Sequence, residues 1–231
     1  MGGIITTIIL PVVTGLCCLM SFLLLLKDKD ENWGLQPQDT EGTEKIKDST
    51  RVELVYSAVC ITFTVLVAVF FPKVYPENSA WVNIKRMILL SIIWPIAYID
   101  FKTMRIPNLF VIYGLICRAI ILVFEIFLGH AYVWRYLLAE SIAAGALLLA
   151  AVLCALVVQN GIGFGDMKLF VVMGLMLGLD GIWGAVFTSL IVSFFIAVFV
   201  LITKKKTRKD AIPFGPALVI GTYLSICLSG M

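Results

Sequence analysis

The chain has 231 residues, 61% of them hydrophobic and only 14% charged, with a net charge of +3 and a mean hydropathy of +1.01. Soluble domains are about 45–50% apolar and about 25% charged, so a soluble enzyme, a disordered chain, a basic nucleic-acid binder and a disulfide scaffold are all excluded. What remains is an all-α, polytopic membrane protein, because a run of ~20 apolar residues makes one spanning helix.

Eight apolar segments follow in chain order, at about 4–26, 52–71, 81–99, 109–128, 137–158, 168–180, 182–203 and 213–229. The first does not read as a cleavable signal, since its first cations, Lys27 and Lys29, come after it. The polar connector 27–51 contains Gly34, Pro37 and Gly42 and reads as a solvated loop with room for one short surface helix. The third segment carries Lys85 and Arg86 near its start, and both are expected to snorkel to an interface. Segment 168–180 is short for a span. It is expected to pair tightly with the next helix or to lie partly within the protein. Its Gly174 and Gly178 form Gly-x-x-x-Gly, a spacing that favours close helix packing. All six cysteines lie in apolar runs and are expected to pack as small hydrophobes.

Charge then orders the connectors. Eight crossings put 27–51, 100–108, 159–167 and 204–212 on one side, and with Lys168 they hold 13 of the 18 cations. The positive-inside rule makes that side cytoplasmic. On this reading the run Lys204–Lys209 marks a cytoplasmic helix end, not a nucleic-acid patch.

Acids inside or at the edge of spans are costly and mark function. The candidates are Asp100, Glu125, Glu140, Asp166 and Asp180. Glu125 and Glu140 are expected to pair with Arg118, Arg135 or water, and the single histidine, His130, is given no role. Asp100 ends the third segment, and Asp166 follows Gly161-Ile-Gly163-Phe-Gly165. Chain parity puts both at the same membrane face on different helices. Two facing carboxylates share a proton. The ionised one takes a proton from water and the protonated one donates to a carbonyl, with neither metal nor covalent intermediate. The glycines leave backbone open to a peptide strand. A Gly-rich turn capped by Asp166 fits the same residues. A small transporter also uses intramembrane acids and broken helices, and a non-catalytic assembly factor has the same gross composition.

Three stretches in order narrow the choice: Asp100 with Arg105-Ile-Pro107-Asn108, Gly163-Phe-Gly165-Asp166 with Lys168, and Pro213-Phe-Gly215-Pro216 opening the last segment. Together they resemble the type IV prepilin peptidases and archaeal preflagellin peptidases, a family of membrane aspartic proteases. The resemblance covers 81–231 and implies a six-helix peptidase core there, preceded by two N-terminal helices in 1–80. It implies Asp100 and Asp166 as the catalytic pair. Gly163, Gly165, Lys168, Arg105, Pro107, Asn108, Pro213, Gly215 and Pro216 are implied as substrate-binding or accessory residues. It also implies a multi-pass plasma-membrane enzyme of a prokaryote that cuts the basic leader from type IV pilin-like precursors at the cytoplasmic face. Many bacterial members carry a four-cysteine zinc module early in the chain and N-methylate the new terminus; 27–51 has no cysteine. The expectation is therefore peptidase activity with no metal or other cofactor, and methyl transfer is doubtful. Presenilin-like and signal-peptide-peptidase-like proteases share Gly-x-Gly-Asp and a Pro-Ala-Leu, here Pro216-Ala217-Leu218. The Arg105–Asn108 stretch favours the prepilin type.

Overall fold

Helices make up every element of the computed structural model, which describes residues 2–32, 42–128, 132–157, 163–203 and 213–229. In chain order they are α1 (Gly2–Asn32), α2 (Gly42–Val74), α3 (Ala80–Thr103), α4 (Asn108–Phe127), α5 (Val133–Val157), α6 (Phe164–Ile202) and α7 (Gly215–Ser229). No strand occurs among the described residues. Six of these helices are long and apolar enough to cross a membrane, and α7, with 15 residues, is shorter. Their outward faces carry Leu16, Val55, Phe63, Ile120, Phe187 and Phe194, all exposed. Such a surface suits lipid, where a helix satisfies its own backbone polar groups.

The hub is α3. Its most apolar window is 89% buried, against 11–39% for the other five long helices, and it packs against α1, α2, α4, α6 and α7. Leu89, Leu90, Ile92, Ile93 and Trp94 have no exposed surface. An all-round apolar helix ending in Asp100 is thereby held at the centre of the bundle, and its last turn is fixed with it.

Neighbour pairs give the direction of each helix. Gly165 lies against Ile106 and Gly114 against Val172, and Lys168 bonds to Asn108, so α4 and the first half of α6 run parallel. The positions Gly174 and Gly178 face Ala144 and Glu140, so α5 runs antiparallel to them. Further on, Gly184 faces Ser225 and Gly221 faces Ser189, while Thr188 Oγ1 donates to the Gly221 carbonyl at 2.7 Å. The second half of α6 is therefore antiparallel to α7. Because α7 starts at Asp100 and ends where Tyr75 Oη donates to the Cys227 carbonyl, α6 must double back.

The reversal is at Gly178, whose φ of 65° and ψ of −173° leave the helix. The expected segments 168–180 and 182–203 are thus the two limbs of α6, the first begun at Phe164, and the break between them is at Gly178 rather than after Asp180. The Gly-x-x-x-Gly reading is corrected in the same way. Gly174 does permit close packing, since a Cβ there would lie 2.6 Å from the Ala144 Cα, but Gly178 breaks the helix. Its conformation belongs almost exclusively to glycine, so Gly178→Ala is expected to cost ~1–3 kcal/mol, read as a lowered melting temperature in detergent.

Other expectations are corrected too. Lys85 and Arg86 do not snorkel; they are 3% and 5% exposed. The described residues of the connector 27–51 are helical, since α1 runs on to Asn32 and α2 starts at Gly42. Lys, Glu and Asp tolerate helix well enough, so hydropathy marks where the apolar stretch stops, not where the helix does. The last helix begins at Gly215, leaving Pro213 ahead of it. All six cysteines are free, and Cys154 is exposed. Gly161, His130 and Lys204–Lys209 lie outside the described residues.

Candidate active site

Asp100 and Asp166 line one cavity of about 300 Å³. Asp100 is in the last turn of α3, buried. Asp166 is in the first turn of α6, partly buried, and within electrostatic reach of Asp100. The α4–α5 hairpin returns the chain to its starting face, so the end of α3 and the start of α6 meet.

Each carboxylate is met by the N-terminal end of a helix. The Gly215 N–H, an orphan donor at the start of α7, donates to Asp100 Oδ2 at 2.7 Å. Asp166 faces the backbone amide of Gly163, the residue that precedes α6. Peptide dipoles there point their positive ends at the acids. Two glycines permit the approach. A Cβ on Gly215 would lie 2.8 Å from Asp100 Oδ2, and one on Gly165 would lie 2.9 Å from the Ile106 Cβ. The ring of Phe214 packs edge-on against Phe170 at 6.1 Å, which holds the start of α7 to α6.

Of the remaining expected residues, Gly163, Gly165, Lys168, Arg105 and Asn108 all line the cavity. Lys168 Nζ donates to Asn108 Oδ1 at 2.8 Å, so it ties the start of α6 to the start of α4. Lys168→Met removes one exposed hydrogen bond worth ~0.5–1.5 kcal/mol. The loss is read as a slightly lowered melting temperature in detergent, with the fold intact. Pro107 does not line the cavity; its φ of −66° sets the entry to α4. Pro213 does not line it either. Pro216 faces a separate apolar groove of about 670 Å³ with Ala97, Tyr98 and Phe101, so it walls the neighbouring groove and not the acid cavity.

Three further residues line the cavity: Met104, which carried no signal of its own, and Ile106 and Phe164, which stood inside the motifs but were given no role. Met104 is left-handed (φ 52°, ψ 38°), and its N–H caps α3 on the Asp100 carbonyl at 2.8 Å. That conformation is uncommon outside glycine and asparagine. Only the following Arg-Ile-Pro hinted that a helix ends there. A buried acid was also missed: Glu53 on α2 is 2% exposed and lies within electrostatic reach of Tyr98.

Glu125 and Glu140 sit away from this cavity. They pair with Arg118, as expected, and with Lys85 instead of Arg135. Arg135 stacks on Tyr132.

Comparison with known proteins bears on the same region. A family model described as the type IV leader peptidase family matches residues 87–202. A prepilin leader peptidase/N-methyltransferase of Bacillus subtilis (strain 168) is 29% identical over 145 residues, covering 60% of this chain and 53% of that protein. The chain thus spans about half the length of that relative. No solved structure matches.

Proposed function

The chain belongs to the type IV leader peptidase family, and from that premise we propose that it is a membrane aspartic endopeptidase. Its substrates are type IV prepilin-like precursors, whose basic leader it removes at the cytoplasmic face of a prokaryotic plasma membrane. The observation that carries this reading is the single cavity that holds both Asp100 and Asp166.

The chemistry follows from the pair. Two close carboxylates share a proton and titrate as a unit. The ionised member draws a proton from water as that water attacks the scissile carbonyl; the protonated member donates to the carbonyl oxygen. The proton then passes to the leaving amine. Neither step needs a covalent intermediate. Gly163 lines the cavity beside the acids, Gly165 lets the start of α6 close on Ile106, and the positive end of α7 holds Asp100 in place through Gly215.

The apolar groove supports the same reading. It begins beside Asp100, at Ala97, Tyr98 and Phe101 on α3, and continues along α2 and α7. An apolar segment following the cut fits there while the charged leader stays at the polar cavity. The peptidase core is 81–231, with α1 and α2 as an addition to it. Methyl transfer, which stands in the relative's name, is not part of the proposal.

Co-expression with a candidate prepilin tests the reading. Leader removal appears as a shift on a gel, and the proposal requires it from the wild-type chain. A wild-type chain that processes no precursor but moves ions across liposomes is a transporter.

A further inference from the structure

A second group of charges lies far from the acids of the cavity. Lys85 of α3, Arg118 and Glu125 of α4 and Glu140 of α5 are all 5% exposed or less. Arg118 donates from Nε to Glu140 Oε2 at 2.9 Å and from Nη1 to Glu125 Oε2 at 3.2 Å. Lys85 bonds to Glu140 and stands 3.4 Å from Glu125 Oε1. Two cations and two acids balance, and each cation touches both acids. The group also reaches α6, since Arg118 Nε lies 3.2 Å from the Leu175 carbonyl. In an unbroken helix that carbonyl would accept from residue 179, just past the break at Gly178. The Glu140 side chain packs beside Gly178 itself, its Cγ 3.6 Å from where a Cβ would be.

We infer that this buried four-charge cluster is a register pin, and that Lys85, Arg118, Glu125 and Glu140 are positioning residues for cleavage at Asp100 and Asp166. The inference rests on the peptidase reading above. Lys85 and Asp100 are on the same helix, roughly 22 Å apart along its axis; Asp166 and Leu175 are on one limb, roughly 14 Å apart. Both acids are therefore carried on rods whose far ends meet at the cluster. Between the cluster and the cavity α3 is almost wholly apolar, and apolar packing is non-directional. Slipping α6 by one residue moves Asp166 by ~1.5 Å and turns it by ~100°. Directional bonds at the far end forbid that slip. The reversal at Gly178 needs such a clamp, because the limb bearing Asp166 ends there with its last carbonyls released. A buried ion group is weak evidence for stability, since apolar residues of like volume often replace it without loss, while fixing a register is its best-attested use.

That distinction supplies the test. The variant Lys85→Met/Arg118→Met/Glu125→Leu/Glu140→Met removes all four charges at once and leaves none unpaired. Glu140→Asp keeps the charges but draws one carboxylate back by about one bond. For both, kcat and KM for a prepilin are measured on purified protein in liposomes, beside the melting temperature and amide exchange over Phe164–Val172. We expect kcat to drop at least tenfold with KM within about twofold of wild type and little change in melting temperature. Amides of Phe164–Val172 should exchange faster while those of α7 do not. Wild-type kcat and exchange in the four-residue variant overturn the inference. If that variant does not fold, Glu140→Asp decides by the same two readings. If the wild-type chain cleaves no precursor, the peptidase reading fails, and the exchange data still show whether the cluster pins α6.

Discussion

Asp100→Asn and Asp166→Asn, each alone, are expected to lower kcat/KM for leader removal by ~10²–10⁴-fold, the usual worth of a positioned general acid or base. That is ~3–5 kcal/mol of transition-state stabilisation. Asparagine is nearly isosteric and keeps an acceptor oxygen, so the Gly215 N–H that now bonds Asp100 Oδ2 retains its partner. The α3–α7 junction then survives and the loss is chemical. Neither variant can take a proton from water at that position. Cleavage kinetics on purified, reconstituted protein measure the effect, and an unchanged melting temperature separates it from unfolding.

Gly215→Ala is expected to give the second largest loss. The added methyl would sit 2.8 Å from Asp100 Oδ2, 2.9 Å from its Cβ and 3.2 Å from the Ala97 Cα. All three atoms belong to the most buried helix of the bundle, so α7 has to give way. Its N-terminus withdraws from Asp100 and the 2.7 Å bond is lost. Overpacking of this kind costs ~1–3 kcal/mol of stability, and displacing a catalytic group by about 1 Å costs ~10²-fold in rate. A fall of ~10²-fold in kcat with a modest drop in melting temperature is the expected pair of readings. Gly165→Ala makes a contact at 2.9 Å with the Ile106 Cβ, an atom fixed to the α3–α4 connection rather than to a helix, and meets neither acid. Its effect should be smaller.

Asp100 and Asp166 were legible because charge is rare in an apolar chain, and parity alone puts both at one face. The cavity residues Arg105, Asn108, Gly163, Gly165 and Lys168 were legible as motif, yet their contacts were not. Lys168 lies two residues from Asp166 in sequence, but it bonds to Asn108, sixty residues away. The burial of Lys85 was hidden for the same reason: its partners Glu125 and Glu140 are 40 and 55 residues away. A cation near a helix start reads as an interface residue until those acids are known to face it. Gly178 illustrates a third obstacle. Glycine at a small-x-x-x-small spacing permits close packing or a break equally well, and the φ of 65° and ψ of −173° at Gly178 show which occurs here. Met104 carries no composition signal for its left-handed cap at all.

The central claim is that Asp100 and Asp166 act as one unit. Leader release from a labelled prepilin by the reconstituted wild type, Asp100→Asn, Asp166→Asn and the double variant tests it most directly. Groups that act together are non-additive, so both single variants and the double variant should fall to the same residual rate. Processing at the wild-type rate by either single variant, or a double variant whose loss is the product of the two single losses, would contradict the account.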